Sequence, residues 1–304
     1  MEKQVKNQHY VPKMYIKRFS PNGKKICVWK LKENEILTRQ EPGKYAAKRY
    51  FYDTNEAELH ESLKEMAKLC PEAVAKADVS DEQFVEKALS RVEGATAAIM
   101  NAICEDSSKL FNDANMATLI IFLHELAFRS EKYRDMIDDT RSQLLAFLDK
   151  LGVDTDAVEE VRKTGKEVQL YQLMGMRPTF DTAKSLLENY NWYIGTVPGK
   201  MKLLISDNPA QGIMLGFNDI CIPLCGDKAL IFRIANPDAP ILSKDMPVGD
   251  EIVLSERSVF AYNTVQLSYA NRFMFGDKTS LEILKLISDN QGRIHDTMKI
   301  KLNN

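Results

Sequence analysis

Between residues 56 and 187 the chain reads as one helix after another, and on both sides of that stretch it reads as strand. This order constrains the fold more than any other feature. A sheet built from one flank alone is small and poorly covered. The expected fold class is therefore α+β, with a β-rich core built from the N- and C-terminal segments (1–55 plus 188–304). A helical bundle over 56–187 is inserted between them as part of one compact unit. Two consecutive domains are the alternative. The chain has 304 residues, 44% of them hydrophobic and 28% charged, so it is long and apolar enough for a sizeable core.

Local patterns fill in this outline. Ile26 to Leu31 is a strand candidate entered through Pro21-Asn22-Gly23, and Glu35 to Thr38 pairs with it through a polar turn. Lys48 to Tyr52 is a third extended piece. Helical spacing of apolar residues covers Glu56–Leu69, Asp81–Ile103, Asn112–Arg134, Asp135–Leu151, Asp154–Lys166 and Phe180–Tyr190. The apolar stripe of Asn112–Arg134 is too wide for a surface helix, so this one is expected inside the bundle. Trp192–Thr196 and Lys202–Ile205 read as a hairpin around Val197-Pro198-Gly199-Lys200. Further strands are expected at Cys221–Leu224, Ala229–Ile234 and Ile252–Leu254, and helices at Val259–Tyr269 and Ser280–His295.

The charge balance, 41 basic against 43 acidic residues, advertises neither nucleic acid nor a membrane surface, although a local basic patch is compatible with it. Five scattered cysteines, Cys27, Cys70, Cys104, Cys221 and Cys225, do not form a disulfide framework. Cys221 and Cys225 are a C-x3-C pair without a second pair at zinc spacing. Reduced thiols and the lack of a signal-like or eighteen-residue apolar run lead to the expectation of a soluble, cytoplasmic protein without membrane contact.

Two segments concentrate chemistry. Gln8-His9-Tyr10-Val11-Pro12, followed by Tyr15, Arg18 and Phe19, packs ionisable and aromatic side chains into a stretch that is usually poorly ordered. Ser206-Asp207-Asn208-Pro209 lies where a hydrophobic strand ends, a place where a sheet fixes site residues. It is also good turn chemistry. His124-Glu125 lacks the second histidine of a zincin helix, because position 128 is Phe. His124 and Arg129 on so apolar a helix must be paired, either lining a cleft or in a structural network. Arg49 with Tyr50 and Tyr52 is a cationic–aromatic group suited to phosphate or a base. No P-loop, G-x-G-x-x-G, G-x-S-x-G or kinase signature is present.

Taken together, Gln8 to Pro12 with Tyr15, Arg18 and Phe19, Lys48 to Tyr52, Ser206 to Pro209, Pro223-Leu224 and the Asn263 to Arg272 region resemble the HYVP-motif family of bacteria and phages, domain-of-unknown-function family 4238. The resemblance spans most of the chain and is loosest in the helical middle, around Arg129. Where that family tends to show Pro-Leu-Ser-Pro, this chain has Pro223-Leu224-Cys225-Gly226, so its serine has no counterpart here. The resemblance implies a grouping and brings no activity with it.

Two functions follow from the motifs. The first is a phosphodiester hydrolase, a nuclease-like enzyme of a conflict system. His9 is then general base or phosphate contact, Asp207 metal ligand or base, and Asn208 a positioning residue, with a divalent metal as the cofactor this reading admits. Gln8, Tyr10, Tyr15, Arg18, Arg49 and Arg129 line the substrate, a nucleic acid or nucleotide. The second is a non-catalytic ligand- or protein-binding module in which both motifs are structural clips.

Overall fold

The computed structural model describes residues 4–69, 71–75, 78–153, 163–235 and 251–302, with side chains described as far as residue 290 except at 73 and 111. Its strands are β1 (Asn7–His9), β2 (Ile26–Lys30), β3 (Glu35–Gln40), β4 (Ala47–Arg49), β5 (Tyr190–Thr196), β6 (Ile205–Ser206), β7 (Asp219–Pro223), β8 (Lys228–Ile234), β9 (Glu251–Val253) and β10 (Phe273–Gly276). The helices are α1 (Lys13–Lys17), α2 (Glu56–Leu69), α3 (Pro71–Ala75), α4 (Phe84–Glu105), α5 (Asp113–Phe128), α6 (Glu131–Lys150), α7 (Gly165–Met174), α8 (Met176–Asn189), α9 (Gln211–Leu215), α10 (Glu256–Tyr269) and α11 (Lys278–Leu302). The class is α+β.

One four-stranded sheet, in the order β3-β2-β10-β6, joins strands from both flanks of the chain. Cys27 lies opposite Gly276 and Lys30 opposite Phe273. The β2–β3 hairpin turns through Asn34, which takes the left-handed conformation that Asn tolerates at low cost. A second sheet, β7-β8-β5-β9, comes from the C-terminal flank, and β1 pairs with β4 beside them.

The expected hairpin of Trp192–Thr196 with Lys202–Ile205 is corrected. β5 pairs antiparallel with β8 and parallel with β9, while Ile205–Ser206 belongs to the other sheet, against β10. The reason lies in the run Trp192-Tyr193-Ile194, which is buried on both faces. Such a run suits a central strand, which needs two neighbours and covered faces, rather than one arm of an exposed hairpin. The backbone after the Val197 turn is engaged elsewhere: Leu203 N–H donates to Gly226 O and Leu204 N–H to the Asn263 side chain.

The expected helix Asn112–Arg134 is corrected as well. α5 stops at Phe128, and Ser130 takes an extended conformation, its hydroxyl capping α6 through Tyr133 N–H at 3.1 Å. A Ser cap restarts a helix at a new angle, and the break puts Arg129 in the elbow, pointing inward. Helix Asp154–Lys166 falls largely outside the described residues. Behind them α7 opens at Gly165 with a capping box between Thr164 and Glu167.

The largest apolar core draws on all three stretches. Tyr10, Tyr15 and Phe19 meet Leu89, Phe122 and Leu126 of the helices and Trp192, Phe232 and Phe275 of the sheets. The Tyr15 ring stands edge-on to Phe122 at 5.8 Å and to Phe19 at 5.6 Å. The N-terminal motif is thus a central part of the core.

Candidate functional site

Arg129 is the organising residue. It is 1% exposed, and a guanidinium that deep must be paired. Its Nη1 donates to Glu93 Oε1 at 3.0 Å and its Nη2 to the backbone oxygen of His9 at 2.5 Å. The Tyr52 hydroxyl donates to the Arg129 carbonyl at 2.8 Å. Gln8, fully buried, accepts from Tyr52 N–H and donates to Asp53. Two sequence motifs, at 8–12 and 48–52, therefore close on this arginine.

Glu125 lies one helical turn before Arg129. It is 5% exposed, and its Oε2 has no hydrogen-bond partner. Burial pushes its pKa up to about 8; the Arg129 charge opposes this and Glu93 adds to it. Glu86 is pushed up to about 7, mainly by burial, with Arg129 opposing and Glu93 and Asp53 adding. Burial works against the Arg129 charge, but Tyr52, Glu93 and Glu125 around it outweigh that effect and keep it cationic. Glu93 bonds the guanidinium directly, while Glu86 and Glu125 feel its charge without a bond to it.

Glu125 also lines a cavity of about 750 Å³ between α2, α4, α5, α7 and α8. Its other walls include Met66, Val92, Met116, Ile120, Leu173 and Phe180. Met174 and Met176 line it too, and methionine side chains adapt to irregular ligand shapes. The volume lies in the range of small-molecule sites, about 300–1,000 Å³. A carboxylic acid with spare hydrogen-bonding capacity on an apolar wall can orient a ligand by its polar end.

The other expected site residues are placed differently. The His9 ring sits 3.3 Å from Gly43 O, and burial lowers its pKa, so it is neutral at pH 7. Asp207 is 1% exposed; its Oδ1 accepts from Asn271 N–H at 2.8 Å and its Oδ2 from Arg272 N–H at 2.9 Å. Burial raises its pKa against these amide bonds. Asn208 donates to Gln211 Oε1 at 2.6 Å, while its own Oδ1 lacks a partner. Burial raises the Tyr10 phenol, with the Asp207 and Glu131 carboxylates adding to the shift, and its hydroxyl has no hydrogen-bond partner among the described residues.

Tyr15 and Arg18 point to a different place. The Tyr15 hydroxyl donates to Pro223 O and Arg18 Nε to Leu224 O, at 2.5 and 2.7 Å. Arg49 is exposed and lies over the Tyr50 ring. His124 is structural, bonded to Thr182 Oγ1 at 2.8 Å and Gln172 O at 2.7 Å. Among the described residues no group of three or more His, Cys, Asp and Glu side chains is placed to hold a metal ion. No described helix is long and apolar enough to cross a membrane.

Sequence reasoning found Arg129 and Gln8 but missed Glu86, Glu93 and Glu125 as members of one cluster. Glutamates on helices read as solvated by default. The available signal was Glu125 itself, a carboxylate inside the most apolar helix of the chain.

No curated protein and no solved structure matches this chain. A family model described as protein of unknown function (DUF4238) matches residues 7–280, and the chain belongs to that family.

Proposed function

We propose that the chain is a non-catalytic binding module in which the HYVP and Ser-Asp-Asn-Pro segments are structural. Its ligand is a small molecule with an apolar body and an amine head. The observation that carries this reading is Glu125, which lines an apolar cavity with an almost fully buried carboxyl whose enclosed Oε2 has no partner. The single Arg129 charge is already bonded to Glu93, and burial holds Glu125 toward its protonated form. A ligand ammonium beside Glu125 favours its ionised form and pairs with it, and the cavity accepts the rest of the molecule.

The test compares 4-phenylbutylamine with 4-phenylbutanol by isothermal calorimetry and thermal shift. The amine is expected to bind more tightly, and its advantage to grow between pH 6 and 8 as Glu125 becomes easier to ionise. Glu125→Gln is expected to erase the advantage while leaving the fold intact. Equal binding of both probes, or none, overturns the reading.

A phosphodiester hydrolase acting on nucleic acid or nucleotides needs Asp207 free to hold a metal or take a proton. Its two oxygens accept backbone amides instead, so this reading draws less support. Mn²⁺-dependent cleavage of DNA or RNA that is lost in Asp207→Asn, in a variant that still folds, would restore it.

A further inference from the structure

Asp207 is completed by the turn it holds, and its neighbour Asn208 is not. One side chain of α10 clamps the backbone on both sides of Asn208. Gln266 Oε1 accepts from the Ser206 N–H and hydroxyl at 3.0 Å each, and its Nε2 donates to Pro209 O at 2.8 Å. Asn208 N–H donates to Ser206 Oγ at 3.2 Å. The Asn208 side chain is therefore carried on a fixed backbone, and it is 1% exposed. Its Nδ2 donates to Gln211 Oε1 at 2.6 Å and to Tyr269 O at 3.4 Å. Two carbonyl acceptors on one side of the amide fix which end is nitrogen. The Oδ1 is left without a hydrogen-bond partner among the described residues. A buried amide oxygen in that state costs stability until something donates to it.

Asn208 lines a cavity of about 230 Å³ between α9, β7 and α10. Gln211, also buried, lines it too. The Gln211 Oε1 is taken by Asn208, and its Nε2 has only the Met214 sulfur, a weak acceptor, at 3.7 Å. Two amides already bonded to each other thus offer one unused oxygen and one poorly used N–H. That pattern is the complement of a cis-amide, whose N–H and C=O lie side by side. The cavity also has aromatic walls. The Phe217 and Tyr269 ring centroids lie 5.6 Å apart, and the Tyr262 hydroxyl donates to Asp219 Oδ1 at 2.9 Å. Such walls suit a flat ring. The volume is below that of drug-sized sites, which limits the occupant to one small ring.

The geometry points to a second binding site here, for a single planar ring that bears a carboxamide or lactam group. The ligand N–H donates to Asn208 Oδ1, its C=O accepts from Gln211 Nε2, and the ring packs among Phe217, Tyr262 and Tyr269. No hydrogen bond of the turn has to break for this, so the site is preorganised. Ser206, Asp207 and Pro209 keep their structural roles, and Asn208 is the member of the segment with an atom to spare. The ligand is neutral. The carboxylate on the lining, Asp219, is already engaged by the Tyr262 hydroxyl and by Arg233 Nε at 3.7 Å. The site shares no lining residue with the Glu125 cavity and stands independently of it.

The experiment titrates the full chain with benzamide and with acetophenone, followed by ligand-observed NMR and calorimetry. The two probes have the same size and the same C=O, and acetophenone carries a methyl where benzamide has its N–H donors. Benzamide is expected to bind with a Kd of about 1 mM or tighter, as a ligand of so few atoms can. Acetophenone is expected to bind about tenfold more weakly, because it leaves Asn208 Oδ1 without a donor. Val265 lines the same cavity from α10 and is 40% exposed, so Val265→Trp fills the site from the surface without entering the core. That variant is expected to lose benzamide binding with an unchanged urea midpoint, while Glu125→Gln keeps it. Because 4-phenylbutylamine reports on the Glu125 cavity and benzamide on this one, failure of either reading leaves the other standing. Equal binding of benzamide and acetophenone, benzamide binding that survives Val265→Trp, or no saturable benzamide binding up to about 10 mM overturns the proposal. The comparison of probes uses the unmutated protein, so it decides the matter even where the variant fails to fold.

Discussion

Asp207 and Glu125 are two carboxyl groups buried to nearly the same degree, and they have opposite relations to their surroundings. Asp207 sits at a strand end, where the turn at Asn271–Arg272 offers it two backbone N–H groups. Glu125 sits inside a helix, where every nearby amide already serves the helix, and one of its oxygens is left over. Burial alone therefore does not mark a functional carboxyl. A carboxyl completed by backbone is an architectural joint, and one with capacity to spare beside a cavity is available to a ligand.

The largest expected effect breaks the comparison at its hub. Arg129→Met strands Glu93 and the His9 carbonyl without their cation and raises Glu125 further. A destabilisation of about 3–5 kcal/mol in urea unfolding is expected, as for other broken buried pairs. A loss under about 1 kcal/mol would mean that the carboxyls do not depend on the guanidinium.

Asp207→Ala leaves two turn amides without acceptors and is expected to cost about 3 kcal/mol, with Asp207→Asn losing roughly half as much. Glu125→Leu removes an incompletely bonded polar group and is expected to stabilise the protein by about 1 kcal/mol. Opposite signs from two equally buried carboxyls are the sharpest form of the contrast, and urea midpoints measure both.

Proton linkage separates them again. The Glu125 pKa is raised from about 4.5 to about 8 on folding, so the native state holds a proton that the unfolded state has lost in that window. Its contribution therefore makes stability fall as pH rises from about 5 to 8. His9 and His124, lowered by burial, and Cys225 pull the other way. The difference between wild type and Glu125→Gln cancels them. The melting temperature of the Gln variant should gain on wild type steadily from pH 5 to 8, and parallel curves would refute the assignment.

The smallest effect concerns His9. Its single long contact with Gly43 O predicts that His9→Ala costs under about 1 kcal/mol, whereas Gln8→Ala, with bonds to Tyr52 and Asp53, costs about 2 kcal/mol. The reverse order in thermal melts would return the histidine to the centre of the motif.

What could be read from the sequence followed from local physics. Alternating strands with a polar turn identified β2 and β3, and helical spacing identified α2 and most of α4. The pairing of β5 with β8 and β9 could not be read, because an apolar run does not state which strand lies beside it. The break at Ser130 was present as a cap residue but hidden by unbroken apolar spacing across it. At the site, Arg129 stood out because a polar group among apolar neighbours needs a partner, and Gln8 because it belongs to the dense N-terminal motif. Glu86 and Glu93 became informative only once α4 was seen to turn them toward that arginine.

The pairing of β2 with β10 has a consequence for how the protein is made. Lys30 must wait for Phe273, and the whole helical layer is synthesised in between. At about 5–20 residues per second, the first hairpin emerges from the ribosome roughly 10–50 s before its partner strand. Throughout that interval β2 presents Ile26, Val28 and Trp29 on an unpaired edge, the kind of edge that recruits other chains. The nascent protein therefore depends on whatever shields that edge, and a transcript cut short before residue 273 yields a chain with its adhesive edge permanently open.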